Sequence, residues 1–288
     1  MNSIVKRLNF FAPVFARFPK QILSCKYYKT FHKRLDWKNP VQFHEKVFWL
    51  SLNTDTSQWS RLADKYGVRE YVSQLGLGYM LNDLYGVYET PESIDFDSLP
   101  NAFVLKTNNG CLTNLLIKDK SKIDIQETRD TLAGWMKFHY GDLTAQPHYT
   151  RIKPLIIAEK LLVQDGDADR ILTDYKFYCF NGKPMYCMVC SGRKTLGHQY
   201  DRMLYDMDWN SMEHVFGPGP QLDMHQCPKC FDEMKKAASL LCQGHKFVRV
   251  DLYNIDDKPI FGELTFTPGT GLGFTPEFQK QLGDLIII

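Results

Sequence analysis

The stretch RVDLYNIDDKPIFGELTF, Arg249 to Phe266, restricts the fold more than any other part of the sequence. β-Branched and aromatic residues alternate along both halves, and the Asn and Asp residues between them favour a turn. The pattern predicts a β-hairpin with its tip near Asp257. In that register Asp251 and Glu263 lie opposite each other on one face.

Strict alternation of side chains assigns the residues of both strands to two faces. The apolar face is predicted to contain Val248, Val250, Leu252, Ile260, Leu264 and Phe266. The opposite face is predicted to contain Arg249, Asp251, Tyr253, Phe261, Glu263 and Thr265. Like charges directly opposite each other destabilise a sheet, so the two carboxylates predict a cation between them.

The composition is typical of a folded globular chain with room for two packed subdomains. It has 288 residues, of which 44% are hydrophobic and 24% charged. A net charge of +2 argues against a dedicated nucleic-acid binder. Eight cysteines, several beside aromatic residues in predicted strands, indicate reduced thiols and therefore the cytoplasm.

The N-terminal segment, up to Trp37, is both basic and aromatic. It lacks the roughly 20 uncharged apolar residues of a membrane span, and it has no cleavage site after an apolar core. Two interpretations stay open. The segment forms a helix packed on the body, or it lies on the anionic inner face of the plasma membrane through Phe10, Phe11, Phe15 and Phe18.

The first third of the chain has helical periodicity. SQWSRLADKYGVREYVSQLG predicts one helix that Ser57 caps and Gly76 ends. Lys65 and Arg69 are four residues apart and share a face of this helix. That basic face is either solvated or grips an anion.

The rest of the chain is rich in strands, which predicts the α+β class. LPNAFVLK predicts a strand that ends at Lys106, and LIIAEKLL predicts another with Glu159 embedded in it. DYKFYCFNGKPMYCMVC predicts a hairpin, because Asn-Gly suits a two-residue turn. Its first strand places Lys176 on the same face as Asp174 and Tyr178.

Several of these features suit a nucleoside triphosphate, which needs cations, a close backbone loop and carboxylates for magnesium. The loop TNNGCLTN follows Lys106, and its glycine and small polar residues permit a tight fold over phosphate. Lys176 offers a second cation. Either lysine alone is a weak signal, because surface turns and strand edges often carry solvated lysines.

The chain from about Asp36 onward resembles the TupA-like ATP-grasp proteins of bacterial surface-polysaccharide biosynthesis. The segments that carry the resemblance are NPVQFHEKVFWLSL, LADKYGVREYV, LPNAFVLKTNNG, DYKFYCFNGKP, FVRVDLY and FGELTFTPGTGL. The resemblance implies an ATP-grasp fold in which two α+β subdomains clasp the nucleotide. The expected domains are an N-terminal helical extension, 1–55, a small subdomain, 56–153, and a large subdomain, 154–288.

The resemblance also implies roles for individual residues. The residues implied to bind ATP are Lys65, Lys106, Asn108, Gly110, Asn114, Glu159 and Leu161, the loop from Thr107 to Asn114 acting as a lid. The residues implied to bind magnesium are Asp251, Glu263 and Thr265, where many ATP-grasp enzymes have Asn in place of the threonine. The implied catalytic residues are Lys176, Arg193 and Arg249.

Enzymes of this kind activate a carboxylate as an acylphosphate, which an amine then attacks. The implied partners are ATP, a saccharide that contains a uronic acid, and an amino acid. Arg193 or Arg249 is expected to steady the acylphosphate or the tetrahedral oxyanion. The lid departs from its relatives, because the loop lacks the histidine that they commonly carry.

Other interpretations remain open at this point. A glycosyltransferase would use an Asp-x-Asp motif, and the chain has Asp206-Met-Asp208 and Asp167-Ala-Asp169. A noncatalytic nucleotide-binding scaffold is a third class. Zinc binding is an alternative for the group Cys227, Cys230, Cys242 and His245, and His198 is a candidate base.

Overall fold

The computed structural model describes residues 9–164, 172–191, 201–218 and 224–288. Its α-helices, α1 to α10, are Ala12–Phe15, Pro19–Phe31, Phe43–Asn53, Ser57–Ala63, Val68–Gln74, Ile125–Met136, Tyr140–Thr144, Pro147–Thr150, Phe231–Leu241 and Pro276–Asp284. Its strands, β1 to β9, are Leu84–Tyr88, Phe103–Thr107, Asn114–Ile117, Ile156–Lys160, Asp174–Phe180, Lys183–Ser191, Asp201–Asp206, Phe247–Ile255 and Lys258–Thr265.

The chain packs as two compact units, each made of segments that are not consecutive. The first combines the described residues up to Leu23 with Asp55–Tyr71 and Asn82–Leu162. The second combines Ser24–Thr54, Val72–Leu81 and the described residues from Val163 to Ile288. The three consecutive domains expected from the sequence stay a prediction.

The first unit contains an antiparallel sheet with strand order β1-β4-β2-β3. One face of this sheet is buried by Leu132 of α6 and by the segment before β2. That core comprises Ile94, Phe96, Leu99, Phe103, Leu105, Ile117, Leu132, Ile156 and Ala158. Because side chains alternate along a strand, the intervening residues Lys106 and Glu159 lie on the opposite face.

The second unit contains an antiparallel sheet with strand order β7-β6-β5-β8-β9. The predicted hairpin of β5 and β6 is confirmed. Its turn residues Asn181 and Gly182 have φ angles of 49° and 75°, as a two-residue hairpin turn requires. The predicted hairpin of β8 and β9 is also present, and Asp251 pairs with Glu263 in register.

The predicted assignment of β9 side chains to the two faces of the sheet is wrong for the residues between a bulge and the turn. Asp251 pairs with Glu263 but Leu252 pairs with Phe261, so Gly262 is an extra residue in β9. Phe261 therefore lies on the apolar face with Leu252, and Ile260 lies on the opposite face. A Cβ at residue 262 would lie 2.9 Å from the Asp251 carbonyl oxygen, so the bulge suits only glycine.

The single helix predicted from Ser57 to Gly76 is in fact two helices, α4 and α5. The Asp64 side chain accepts a hydrogen bond of 2.8 Å from the Tyr66 backbone N–H. Such local hydrogen bonds compete with the backbone bonds of a helix, and the helix ends here. Lys65 consequently lies in the turn between the helices, and the predicted helical face that it shares with Arg69 does not form.

Within the described ranges, no helix combines the length and apolarity that crossing a membrane demands.

One buried histidine, His44, is expected to make the stability of the second unit depend on pH. His44 of α3 is fully buried, with Nδ1 3.1 Å from Gln279 Oε1 of α10 and Nε2 3.0 Å from the Gly269 carbonyl oxygen. Burial lowers the pKa of His44 to about 4. The unfolded chain, with an ordinary pKa near 6.5, therefore binds the proton first as the pH falls.

Because of His44, we expect the free energy of unfolding to fall by about 3 kcal/mol as the pH falls from 6.5 to 4. Above pH 6.5 this contribution to stability is fully retained. Urea unfolding between pH 6.5 and pH 4 tests this expectation. His44→Gln should flatten the dependence of the unfolding free energy by about 1.4 kcal/mol per pH unit, the effect of one proton. The exposed His214 serves as control, since His214→Gln should keep the wild-type slope. An unchanged slope in His44→Gln would contradict the assignment.

Candidate functional site

A buried carboxylate organises the polar face of the first sheet. Glu159 of β4 is 6% exposed, and its Oε2 lies 2.7 Å from the Lys106 Nζ of neighbouring β2. Its Oε1 lies 3.4 Å from a guanidinium nitrogen of Arg69 in α5. Asn82 accepts a 2.8 Å hydrogen bond from Arg69 at its carbonyl and donates its side-chain amide to the Lys160 carbonyl at 2.9 Å.

The loop between β2 and β3, predicted as the lid, is attached to this face by Lys65. The Lys65 ammonium donates to the Gly110 carbonyl oxygen, and the Lys65 backbone N–H donates to the Asn108 carbonyl oxygen. A Cβ at residue 110 would lie 3.3 Å from the Tyr140 ring, so the loop passes close to that side chain. Leu112, at the loop tip, is 71% exposed.

The base of the same loop is fixed by Asn108. Its fully buried side chain donates to Asp64 Oδ1 at 2.8 Å and to the Lys153 carbonyl at 3.1 Å, and it accepts from the Leu155 N–H at 2.7 Å. These bonds make Asn108 an anchor of the loop. Its predicted contact with phosphate, like that of Gly110, stays a prediction.

A second polar group lies on one face of the sheet in the second unit. Asp251 of β8 is 2% exposed and is hydrogen-bonded at both oxygens. Arg249 reaches its Oδ1 and Oδ2 at 2.6 Å each, and the Lys176 Nζ reaches Oδ2 at 2.7 Å. Lys176 also lies 3.2 Å from Asp174 Oδ1, in agreement with the predicted shared face.

Glu263 and Thr265 of β9 complete this group. The Thr265 hydroxyl donates to Glu263 Oε1 at 2.8 Å and accepts from Arg249 at 3.0 Å. Arg249 also lies 3.4 Å from Glu263 Oε1, so one guanidinium lies between the two opposed carboxylates. The Glu263 side chain is 34% exposed and is the most accessible of the group's ionised side chains.

Opposite charges fix the ionisation of the buried pair. Burial alone would raise the pKa of Asp251, but the charges of Arg249 and Lys176 hold it below its usual value. Burial would lower the pKa of Lys176, and the carboxylates of Asp174 and Asp251 raise it instead. Asp251 and Lys176 are therefore both charged at neutral pH.

A family model described as TupA-like ATPgrasp matches residues 45–287. The chain belongs to the TupA-like ATP-grasp family. This confirms the resemblance drawn from the six sequence segments. A comparison with proteins of curated function gave no significant match.

Solved structures show the ATP-grasp fold. The D-alanine–D-alanine ligase of Bacillus anthracis complexed with ATP matches with a TM-score of 0.50 at 14% identity, over 78% of this chain and 65% of that one. The ligase PsnB complexed with a precursor variant, Mg and ADP matches with a TM-score of 0.45 at 13% identity, over 83% and 63%. This member of the TupA-like family thus spans about two thirds of the ligase from B. anthracis. The predicted α+β class and ATP-grasp fold are confirmed.

The polar group of the second unit contains ligand atoms of the type that magnesium prefers. Asp251, Glu263 and Thr265 offer only oxygen ligands, which magnesium prefers. Their oxygens already accept hydrogen bonds from Arg249, Lys176 or one another. A carboxylate has about four lone-pair sites, so these bonds leave capacity for a metal.

Other predicted constellations are placed differently. Cys230 and Cys242 flank the two ends of α9, about 18 Å apart along its axis, so they cannot share one zinc ion. Among the residues that the structure describes, no three His, Cys, Asp or Glu side chains are grouped as metal ligands.

The predicted Asp-x-Asp motif at Asp206 and Asp208 forms an ordinary turn. Asp206 accepts hydrogen bonds there from the backbone N–H groups of Asp208 and Asn210. Arg193, His198, Asp167 and Asp169 lie outside the described residues.

Sequence reasoning missed two contributors to these groups. Asn82 precedes β1 and reaches Arg69 and Glu159 only through the tertiary fold, and no local pattern marks it. Gly262 was detectable, because a glycine inside a strand pattern indicates a bulge or a close backbone approach. Leu161 follows β4 and is buried, and Asn114 opens β3 opposite Lys106.

Proposed function

We propose that the chain is an ATP- and magnesium-dependent carboxylate–amine ligase of surface-polysaccharide biosynthesis. Its substrates would be a saccharide that carries a uronic acid and an amino acid that supplies the amine. The observation that carries the proposal is the in-register pairing of Asp251 with Glu263 beside Lys176 and Arg249 in a chain of the TupA-like ATP-grasp family. The roles of individual residues are part of the proposal.

The charges of the two groups support it. In the first unit, Arg69 and Lys106 both pair with the single carboxylate of Glu159, an excess of positive charge that suits phosphate. In the second unit, Asp174, Asp251 and Glu263 outnumber Lys176 and Arg249, an excess of negative charge that suits a divalent cation. ATP with magnesium offers both partners.

In the first unit, Lys65 and Lys106 would hold the phosphates and the loop from Thr107 to Asn114 would cover them. Glu159 and the backbone at Leu161 would receive the ribose and adenine. The hydrogen bonds of Asn108 keep the base of the loop fixed, while Leu112 at its tip is 71% exposed. A fixed base with an accessible tip suits a loop that closes over a ligand.

In the second unit, Asp251, Glu263 and Thr265 would hold magnesium. The chemistry that the metal would supply there is neutralisation of charge on the transferring phosphoryl group. Arg249 and Lys176 orient Asp251 through three short bonds, so its carboxylate is prepared before any ligand arrives. Arg249 or Arg193 would steady the oxyanion of the reaction.

The proposed reaction consists of two substitutions, one at phosphorus and one at the acyl carbon. The uronate carboxylate would attack the γ-phosphorus of ATP and release ADP, which gives an acylphosphate. The amine would then attack the acyl carbon and release inorganic phosphate, with its proton passing to solvent or phosphate. The residues hold and neutralise the reacting groups, as is general for phosphoryl transfer.

Release of ADP tests the proposal. With magnesium ATP, the purified chain should release ADP over many turnovers only when a uronate-containing saccharide and an amino acid are both present. Asp208→Asn, an exposed carboxylate in the Asp-x-Asp turn, should leave the rate unchanged. Turnover of a nucleotide-sugar without ATP, abolished by Asp208→Asn, would contradict the ligase and favour a glycosyltransferase.

A further inference from the structure

The basic residues of this chain are concentrated at one end. The first 35 residues contain eight Lys and Arg and no Asp or Glu, and the first acidic residue is Asp36. The remaining residues contain 27 Lys and Arg against 33 Asp and Glu. The net charge of +2 therefore hides a strongly positive segment on an acidic body. We call its described part, residues 9–35, the basic segment.

Around α1 the basic segment exposes large apolar side chains. Phe10 is 81% exposed, Phe11 51%, Val14 54% and Phe18 48%, whereas the small Ala12 is buried. The segment thus packs through Ala12, while Phe10 and Phe11 before α1 and Phe18 after it are exposed. Four exposed large hydrophobics thus fall within nine residues, and such a concentration of exposed apolar side chains indicates an interaction surface.

The second part of the basic segment, α2 and the turn after it, combines cations with apolar surface. Leu23 and Tyr27 of α2 are buried, while Tyr28 is 56% exposed. A groove of about 400 Å³ is lined by Ser24, Cys25, Tyr28, Lys29, Arg34 and Leu35. Two basic side chains beside an aromatic ring and a leucine suit a ligand that is anionic at one end and apolar at the other.

We propose that the basic segment binds the surface of a membrane that contains anionic phospholipids. Phe10, Phe11 and Phe18 contact the boundary between headgroups and acyl chains, and Lys29 and Arg34 pair with lipid phosphates. A nucleic-acid duplex keeps its bases stacked inside and presents phosphates, so it offers exposed phenylalanines little apolar surface, whereas a bilayer offers hydrocarbon as well as charge. The inference does not rest on the proposed ligase activity.

Vesicle flotation of the whole chain, without ATP or acceptor, tests the proposal. We expect at least about tenfold stronger partitioning to vesicles with about 30% phosphatidylglycerol than to pure phosphatidylcholine. Raising the salt from about 0.1 M to about 0.5 M should weaken the binding, because it screens exposed charges.

Three multiple variants separate the contributions. Removal of four of the eight positive charges, through Arg17→Gln, Lys29→Gln, Lys33→Gln and Arg34→Gln, should strongly reduce the preference for anionic vesicles. Removal of the aromatic rings, through Phe10→Ser, Phe11→Ser and Phe18→Ser, should weaken binding at both salt concentrations. The control changes the net charge equally on the acidic body, through Lys183→Gln, Lys236→Gln, Lys246→Gln and Lys258→Gln, and should bind like wild type.

Three results would overturn the proposal. These are equal binding to neutral and anionic vesicles, equal losses in the control and in the segment variants, or binding to soluble polygalacturonate with none to vesicles. The last result would assign the segment to an acidic polysaccharide. Because all the substituted side chains are exposed, the melting temperature should be unchanged in every variant, which excludes unfolding as the cause of a loss.

Discussion

Glu263→Gln is expected to lower the rate of magnesium-dependent ADP formation by on the order of 10²–10³-fold, because a metal ligand contributes several kcal/mol to the transition state. The stability should change by no more than about 0.5 kcal/mol, since the Glu263 side chain is 34% exposed. Initial rates over a range of magnesium concentrations, together with urea unfolding, measure both effects.

The matched control for this substitution is Glu213→Gln, which neutralises an exposed carboxylate in the same unit. It should keep both the rate and the magnesium dependence. Asp251→Asn is a less selective test, because it would leave the buried cations of Arg249 and Lys176 without their carboxylate. Wild-type turnover in Glu263→Gln would remove Glu263 from the metal site.

Arg249→Leu is expected to destabilise the second unit by about 3–5 kcal/mol, because it leaves a buried carboxylate short of its main partner. Arg249 makes two bonds of 2.6 Å to Asp251, which is only 2% exposed. The difference in unfolding free energy between the variant and the wild type should decrease as the pH falls towards about 4, the ordinary pKa of Asp. Protonation of Asp251 removes the uncompensated charge. Urea unfolding at neutral and acidic pH measures the loss.

Two further variants show whether the ion pair is the cause. Arg249→Lys keeps the charge but not the two-pronged geometry, and we expect a smaller loss. The double variant Arg249→Leu with Asp251→Asn should be more stable than Arg249→Leu alone, because no buried charge of the pair remains unpaired. Equal stability of Arg249→Leu and wild type would show that Lys176 alone compensates Asp251.

Local sequence patterns predicted most of the strands and the hairpins of the second unit. The Asn181-Gly182 turn set the register of its hairpin, but in the second hairpin the pairing Ile255–Lys258 alone would place Asp251 opposite Gly262, and the bulge moves its partner to Glu263. The predicted alternation of faces failed between Gly262 and the turn, since one inserted residue reverses the faces of the residues on its other side. The helix break at Asp64 was also missed, because helical periodicity continues across it.

The grouping of residues within the first unit could not be predicted from local patterns. Glu159, Arg69 and Asn82 are brought together by segments far apart in the chain, and their contacts depend on how β4 packs between β1 and β2. The resemblance to a family supplied Lys65 and Glu159 as candidates. It did not supply the ion pair between Glu159 and Lys106, which follows from their diagonal placement on adjacent strands.

The proposed binding of magnesium ATP is tested most directly by calorimetric titration of the chain with ATP, with and without magnesium. We expect magnesium to strengthen ATP binding in the wild type, and Glu263→Gln to lose this gain while it keeps metal-free ATP binding. A parallel titration with UDP-sugars should give no signal. Equal ATP affinity with and without magnesium, or tight UDP-sugar binding with no ATP signal, would contradict the assignment of Asp251 and Glu263 to a nucleotide-bound metal.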